Sequence, residues 1–475
     1  MNEYKKILTS LNISPPAEGT TPSVYFLGIG GIGMSALARY FVSLQVKVSG
    51  YDKTETPLSR QLALEGIHIH YEDNVALIDQ SAQLVIYTPA VPKDHQELNF
   101  YRDNNYTVVK RSDVLGAITN NTYNICVAGT HGKTTTSSMV GHILRHSGFG
   151  CNAFLGGISV NYNTNFWPSE NKVSVVEADE YDRSFLKLSP DIAIISSMDP
   201  DHLDIYGTAE NMEQAFIDFS GKIKTGGTLI SKHGLKRSDD LKTVNHITYA
   251  LEDEKADAHA INIRMNAGSY RFDIVQKNDG NTVWQLNDVV LNMGGMHNVE
   301  NVLAAILVAH HLNISDEAIL NAVADYKGVK RRFEYILKSE AVVLIDDYAH
   351  HPEELRALIS GAKGLFNNRK CTIIFQPHLF SRTRDLATEF AEVLDLSDEV
   401  LLLPVYPARE LPMEGVSSKL ILDRMKTKVK QLVGKEDLLA QIEKSNNTLM
   451  IMAGAGDIDN LVEPVSQILL KKWDT

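Results

Sequence analysis

The chain has 475 residues, 44% of them hydrophobic, which suits about three globular domains of roughly 150 residues each. A net charge of −13 argues against nucleic acid or an anionic membrane as the main partner, and no run of about 18 apolar residues is present to span a bilayer. Cys126, Cys151 and Cys371 lie far apart without C-x-x-C spacing, and the N-terminus lacks a signal-peptide core, so a disulfide framework is disfavoured and a cytoplasmic location is expected.

Residues 1–22 read as a polar arm. An apolar strand at 24–27 then runs into Gly28-Ile-Gly-Gly-Ile-Gly33, a helix from Met34 to Leu44, and a second strand ending before Asp52. This is a βαβ unit with G-x-G-x-x-G and an acid about 20 residues on, the pattern of a dinucleotide site. Its physical content is narrower: a diphosphate can sit on the N-terminus of that helix. Further strands at 84–88 and 107–109 complete a first domain ending near residue 118.

A β-prone segment at 123–127 precedes Gly129-Thr-His-Gly-Lys-Thr-Thr135, and a helical pattern follows to His146. Strand, glycine-rich turn and helix together make a phosphate-binding loop, with Lys133 reaching the β- and γ-phosphates and the Thr134 hydroxyl on Mg²⁺. The loop is a shortened variant, because Val127 stands where the general motif has its first glycine. Glu177 closes the next strand as a Walker-B-like acid. The strand at 192–196 leads into Asp199-Pro-Asp-His-Leu-Asp204. Both acidic clusters fall at strand C-termini, where open α/β sheets hold ligands. Spacing alone does not make His202 a ligand, since Mg²⁺ prefers oxygen. Residues 228–292 change to short strands, such as 260–265 and 270–275 around Asn278-Asp-Gly280, and predict a small antiparallel layer. A helix starts near His297.

The polar, basic stretch 326–332 suits a linker. Strands at 341–345, 372–375, 399–403 and 448–452, separated by helical patterns, predict a third, parallel α/β unit. Two of its strands end in turns rich in titratable groups, Asp346-Asp-Tyr-Ala-His-His-Pro352 and Gln376-Pro-His-Leu-Phe-Ser-Arg-Thr-Arg384.

Taken in order, Gly28–Met34, Gly129–Thr135, Glu177-Ala-Asp-Glu180, Asp201-His-Leu-Asp204, Met296-His-Asn-Val-Glu-Asn301, Arg331-Arg-Phe-Glu334, Asp346–Pro352 and Tyr406-Pro-Ala-Arg-Glu410 resemble the Mur ligase family over nearly the whole chain, and its alanine-adding branch most. The resemblance implies an α/β protein of three domains. These are a Rossmann-like UDP-sugar domain at 1–118, a central P-loop ATPase at 119–327, and a Rossmann-like amino-acid domain at 328–475. It implies an ATP- and Mg²⁺-dependent ligation of L-alanine to the lactyl carboxylate of UDP-N-acetylmuramate, a step of peptidoglycan synthesis. A murein peptide ligase of the same family is the alternative.

By the same resemblance Gly28, Gly30, Gly31, Ile32, Gly33, Asp52 and Thr88 would hold the UDP-sugar. Gly129, Thr130, His131, Gly132, Lys133, Thr134 and Thr135 would hold the ATP phosphates, and His297 and Asn298 would approach adenine. Arg332 and Asp347 would hold phosphate and ribose. Thr134 and Glu177 would bind one Mg²⁺ and His202 a second. Tyr348, His350 and Arg382 would face alanine, with Lys133, Arg332 and His350 catalytic. Two departures stand out. Leu379 occupies a place where relatives often have arginine. No lysine lies in 208–219, where other branches carry a carbamylated one.

Two other classes compete on the residues alone. A nicotinamide-dependent oxidoreductase explains Gly28 to Asp52 but leaves the phosphate loop idle. A P-loop switch explains Lys133 and Glu177 but not the His- and Arg-rich turns of the third domain.

Overall fold

Strand β1 (Ser23–Leu27) is buried at every residue, as a central parallel strand covered on both faces should be. In this computed structural model, which describes residues 3–14, 19, 21–201, 203–243, 245–266, 268–408 and 410–473, β1 centres the first of three sheets. It joins β2 (Lys47–Tyr51), β3 (His68–His70), β4 (Leu84–Tyr87) and β5 (Val108–Lys110) in the order β3-β2-β1-β4-β5, all pairs parallel. Helix Ile32–Ser43 is buried without a break from Met34 to Phe41, including Ser35 and Arg39. The expected polar arm is corrected in part: Glu3–Ser10 is a helix. Tyr4, Ile7 and Leu8 fall at i, i+3 and i+4 and are buried, with Tyr4 edge-on to Phe41. Residue 118 lies inside helix Arg111–Asn121, and β6 begins at Tyr123.

The second sheet contains β6 (Tyr123–Ala128), β7 (Asn152–Ser159), β8 (Thr164–Trp167), β9 (Val173–Glu177), β10 (Ile192–Ile195), β11 (Thr228–Lys232), β12 (Asn245–Leu251), β13 (Ala258–Asn266), β14 (Ser269–Asn278) and β15 (Asn281–Leu291). Among the described residues the order is β15-β14-β13-β12-β11-β10-β6-β9-β7-β8. The phosphate-loop strand β6 therefore sits between β10 and β9, parallel to both. The small antiparallel layer predicted at 228–292 is corrected for its first strands: β11, β12 and β13 extend the central sheet in parallel.

The third sheet contains β16 (Glu334–Lys338), β17 (Val343–Asp347), β18 (Cys371–Phe375), β19 (Glu399–Leu402), β20 (Lys430–Leu432) and β21 (Leu449–Ala453), ordered β16-β17-β21-β18-β19-β20. It is parallel except for β16, which runs antiparallel to β17.

The chain forms two compact units. One comprises Met1–Ile261, Ile274–Asn287 and Glu300–Val323; the other Asn262–Asp273, Asp288–Val299 and Ala324–Thr475. Within the first unit the first two sheets are bolted together through Asn165, which is fully buried. Its amide donates to Ile32 O at 2.5 Å and Ser35 Oγ at 2.9 Å and accepts from Arg39 Nη1; Arg39 in turn forks onto Glu65 at 2.7 and 2.9 Å. Tyr40 adds edge-on ring contacts to Phe154 and Phe166. Among the described residues, no helix is long and apolar enough to cross a membrane.

Candidate active site

The first glycine loop lies at the C-terminal ends of β1, β2 and β4. The N–H groups of Gly28 and Ile29 donate to Tyr51 O at 2.8 and 3.0 Å, and Gly30 N–H donates to Asp52 Oδ2 at 2.7 Å. Gly31 is the extended residue before the helix, Ile32 its first residue, and Thr88 stands over Gly28. All seven residues expected to hold a sugar nucleotide are thus together. Asp52 secures the loop backbone.

The second loop has the backbone geometry of a phosphate loop. Gly132 caps helix Lys133–His146 at φ +83°, a left-handed conformation natural to glycine, and a Cβ there would lie 2.6 Å from Asn301 Oδ1. The first turn of the helix thus presents its N–H groups and positive dipole end. The loop is clamped by two serines the sequence reading did not single out. Ser197 Oγ accepts the His131 N–H at 2.9 Å, and Ser196 Oγ donates to His131 O at 2.6 Å. They directly precede the Asp199 cluster, and their place at the end of β10, beside β6, was the available signal. Thr130 Oγ1 donates to Asp199 O at 2.8 Å, and His131 is exposed.

Lys133 Nζ donates to Gly129 O and to Glu180 Oε1, both at 2.8 Å, in a pair that is 14% and 1% exposed. Burial pushes the Glu180 carboxyl up and Lys133 pulls it down. Thr134 Oγ1 donates to Glu177 Oε1 at 2.9 Å, and Gly156 N–H holds Glu177 Oε2 at 2.9 Å. Two hard oxygen donors side by side at the phosphate loop fit Mg²⁺ chemistry. Among the described residues no group of three or more His, Cys, Asp or Glu could hold a metal. His202 lies outside the described residues.

In the second unit, Asn298 is buried in the first turn of helix Met296–His311 and donates to Gly294 O at 2.6 Å; the neighbouring His297 folds over Gly295. The two adjacent arginines differ. Arg331 faces inward, 3.5 Å from Asp346 and 3.7 Å from Asp459, and donates to Gly454 O. Arg332 is exposed. Asp347 accepts from Phe333 N–H at 2.6 Å and Ala349 N–H at 2.7 Å, so both its oxygens already hold backbone.

Tyr348, His350 and His378 line one cluster. His350 Nδ1 meets Tyr348 O at 2.9 Å, the His350 and His378 rings are 5.9 Å apart, and His378 stacks on Tyr406. Burial, with Arg382 and His350 nearby, holds the His378 imidazole below its usual range. Among the described residues Arg382 Nη1 is buried with no hydrogen-bond partner, whereas Arg384 is engaged by Asp385 at 2.7 and 3.1 Å. β17 and β18 are not neighbours, since β21 lies between them; their loops meet nonetheless.

Burial pushes the Asp346 carboxyl up to about 7 against Arg331, and Asp347 up to about 6 against its two N–H donors. An unfolded aspartate titrates near 3.9, so the folded state holds these protons more tightly. The stability this contributes is complete below about pH 4 and is lost as pH rises through about 6 to 7. Asp346→Asn is expected to flatten the fall in the second unit's melting temperature between about pH 5 and 8. Calorimetry showing the same fall in both proteins contradicts this.

A phosphate-type loop between parallel strands beside a strand-end acid, with a second glycine loop in the same unit, defines a P-loop α/β protein. Family descriptions match in succession: the Mur ligase family catalytic domain at residues 23–123, the Mur ligase middle domain at 127–309 and the Mur ligase glutamate ligase domain at 331–457. The chain belongs to the Mur ligase family. It is 46% identical over 463 residues to the UDP-N-acetylmuramate–L-alanine ligase of Cytophaga hutchinsonii, covering 95% of this chain and 97% of that protein. It is 48% identical over 457 residues to the ligase of the same name from Parabacteroides distasonis, covering 95% and 98%. The crystal structure of UDP-N-acetylmuramate-alanine ligase from Thermotoga maritima superposes with a TM-score of 0.79 at 29% identity, covering 95% and 99%. A murein peptide ligase from Psychrobacter arcticus shares the fold, with a TM-score of 0.63 at 23% identity over 94% and 98%.

Proposed function

We propose that this protein is an ATP-dependent ligase that joins L-alanine to the lactyl carboxylate of UDP-N-acetylmuramate, in the cytoplasmic stage of peptidoglycan synthesis. The observation that carries this is identity of 46–48% to ligases of that name over 95% of the chain, and the glycine loops on the first two sheets support it. The identity to the murein peptide ligase, 23%, gives that alternative less support.

A carboxylate does not acylate an amine at neutral pH, because oxide is a poor leaving group. Transfer of the γ-phosphoryl group from ATP to the carboxylate makes an acyl phosphate. The amine attacks its carbonyl carbon, and inorganic phosphate departs with one former carboxylate oxygen. Lys133 and Arg332 would stabilise charge on the transferring group, which is positioning and electrostatics more than bond-making by the protein. Lys133 must exchange Glu180 for phosphate oxygens as ATP enters. Gly129 to Thr135 would supply the remaining phosphate donors. Thr134 and Glu177 would hold Mg²⁺, which when bound offsets phosphate charge, and His202 would serve a second ion. Asn298 and His297 would approach adenine and Asp347 the ribose. Tyr348 and His350 would orient the amine, with His350 as a proton acceptor.

Phosphate release from ATP, measured with UDP-N-acetylmuramate and each amino acid in turn, tests the reading. Alanine should be required for turnover; equal release without any amino acid contradicts it. His202→Ala should raise the Mg²⁺ concentration for half activity. A shifted pH profile with an unchanged Mg²⁺ titration would instead assign His202 to proton transfer.

A further inference from the structure

We propose that Arg111 is a positioning residue that takes the diphosphate of the sugar nucleotide and ties it to the acidic segment of the phosphate-loop domain; this rests on the sugar-nucleotide reading above. Arg111 opens the helix that follows β5. Its guanidinium lies against Gly33, the third glycine of the first loop, where a Cβ would run into Nη1. Its other nitrogen, Nη2, is 3.7 Å from Asp179, the two side chains being 30% and 40% exposed. Such a half-exposed pair is worth little by itself.

Two features suit the guanidinium to an anion bound on that turn. The guanidinium stands at the first turn of helix Ile32–Ser43, the positive end of its dipole, where a cation is disfavoured unless an anion shares it. Asp52 is committed to the Gly30 N–H, and Asp179 stands at 3.7 Å, beyond hydrogen-bond reach of the guanidinium. A diphosphate on that turn would supply the counter-charge, and a forked guanidinium is suited to bind it while keeping Asp179.

The second half of the inference concerns Asp179. It sits between Glu177, which accepts from Thr134, and Glu180, which pairs with Lys133. One four-residue segment thus touches both phosphate loops, the near one directly and the far one through Arg111. Neighbouring pairs hold the segment in register: Lys110 with Asp182 at 3.2 Å, and Lys187 with Asp113. Occupancy of one loop therefore biases the other, and by linkage the bias is reciprocal.

Calorimetric titration of the full chain with UDP-N-acetylmuramate, with and without a non-hydrolysable ATP analogue, tests both halves. Arg111→Gln should weaken sugar-nucleotide binding by about tenfold or more, the scale of a lost hydrogen bond to a charged group, with ATP-analogue affinity of the free protein kept within about threefold. Arg111→Lys should recover part of that affinity, since it restores charge but not the fork. In the wild type the analogue should change the sugar-nucleotide Kd; in Arg111→Gln and in Asp179→Asn that ratio should fall to one, while Asp179→Asn alone keeps its sugar-nucleotide affinity. A melting curve for each variant separates these effects from misfolding. Wild-type affinity in Arg111→Gln overturns the ligand role, and an unchanged ratio in Asp179→Asn, or a ratio of one in the wild type, overturns the link. If the wild type binds no UDP-N-acetylmuramate, the sugar-nucleotide reading falls and takes this proposal with it.

Discussion

Lys133→Ala is expected to lower ligation by about 10²–10³-fold or more, the scale seen when one preorganised donor to a developing charge is removed. Sugar-nucleotide affinity should stay near wild type, because the first glycine loop sits on a different sheet. The substitution should also cost stability. Glu180 is 1% exposed and pairs with Lys133, so removing the lysine strands a buried carboxylate. Breaking one side of a buried pair costs about 3–5 kcal/mol. The double variant Lys133→Ala with Glu180→Gln should recover much of that stability and none of the activity. Kinetics, calorimetry and melting curves on the three proteins decide it. Loss of sugar-nucleotide binding in Lys133→Ala contradicts the separation of the two sites. Recovery of turnover in the double variant contradicts the role of Lys133.

Arg382→Ala is expected to raise the KM for alanine by about 10- to 150-fold and leave those for ATP and the UDP-sugar close to wild type. A hydrogen bond to a charged group is worth roughly 1.5–3 kcal/mol, and 1.4 kcal/mol is about tenfold. Three observations select Arg382 as the clamp on the alanine carboxylate. Its Nη1 is buried with no partner among the described residues. It bears on His378, whose ring lies 5.9 Å from that of His350. The neighbouring Arg384 is occupied on the surface by Asp385. Leu379, with no donor, cannot share the task; it holds φ +71°, a strained value for a leucine, at the turn into helix Phe380–Asp385. Lysine at 382 should rescue little, because it lacks the planar fork. A raised KM for ATP with that for alanine unchanged would assign Arg382 to the nucleotide.

The elements legible in the sequence were those whose signal is local. Strand, glycines and helix follow one another within about 25 residues at both loops, and each fold there matches its reading. Glu177 was legible because it closes a β-branched run. What was hidden depends on distant segments meeting. Arg331 and Arg332 are chemically identical in the chain, yet one is internal and the other exposed. Ser196 and Ser197 matter only because β10 lies beside β6. An antiparallel layer is the natural reading of 228–292 because parallel neighbours such as β12 and β13 ordinarily need a long crossover. Here only three rows overlap, from Tyr249↔Ala258 to Leu251↔Ala260, so a short step back suffices. The helix Glu3–Ser10 escaped notice because eight residues carry only three buried positions.

The central claim is an acyl phosphate formed on the lactyl carboxylate. It is tested most directly by labelling both oxygens of that carboxylate with ¹⁸O and analysing the products by mass spectrometry after one round of ligation. The account predicts one ¹⁸O in each inorganic phosphate released and one retained in the new amide. Unlabelled phosphate, or label appearing in AMP, would contradict it.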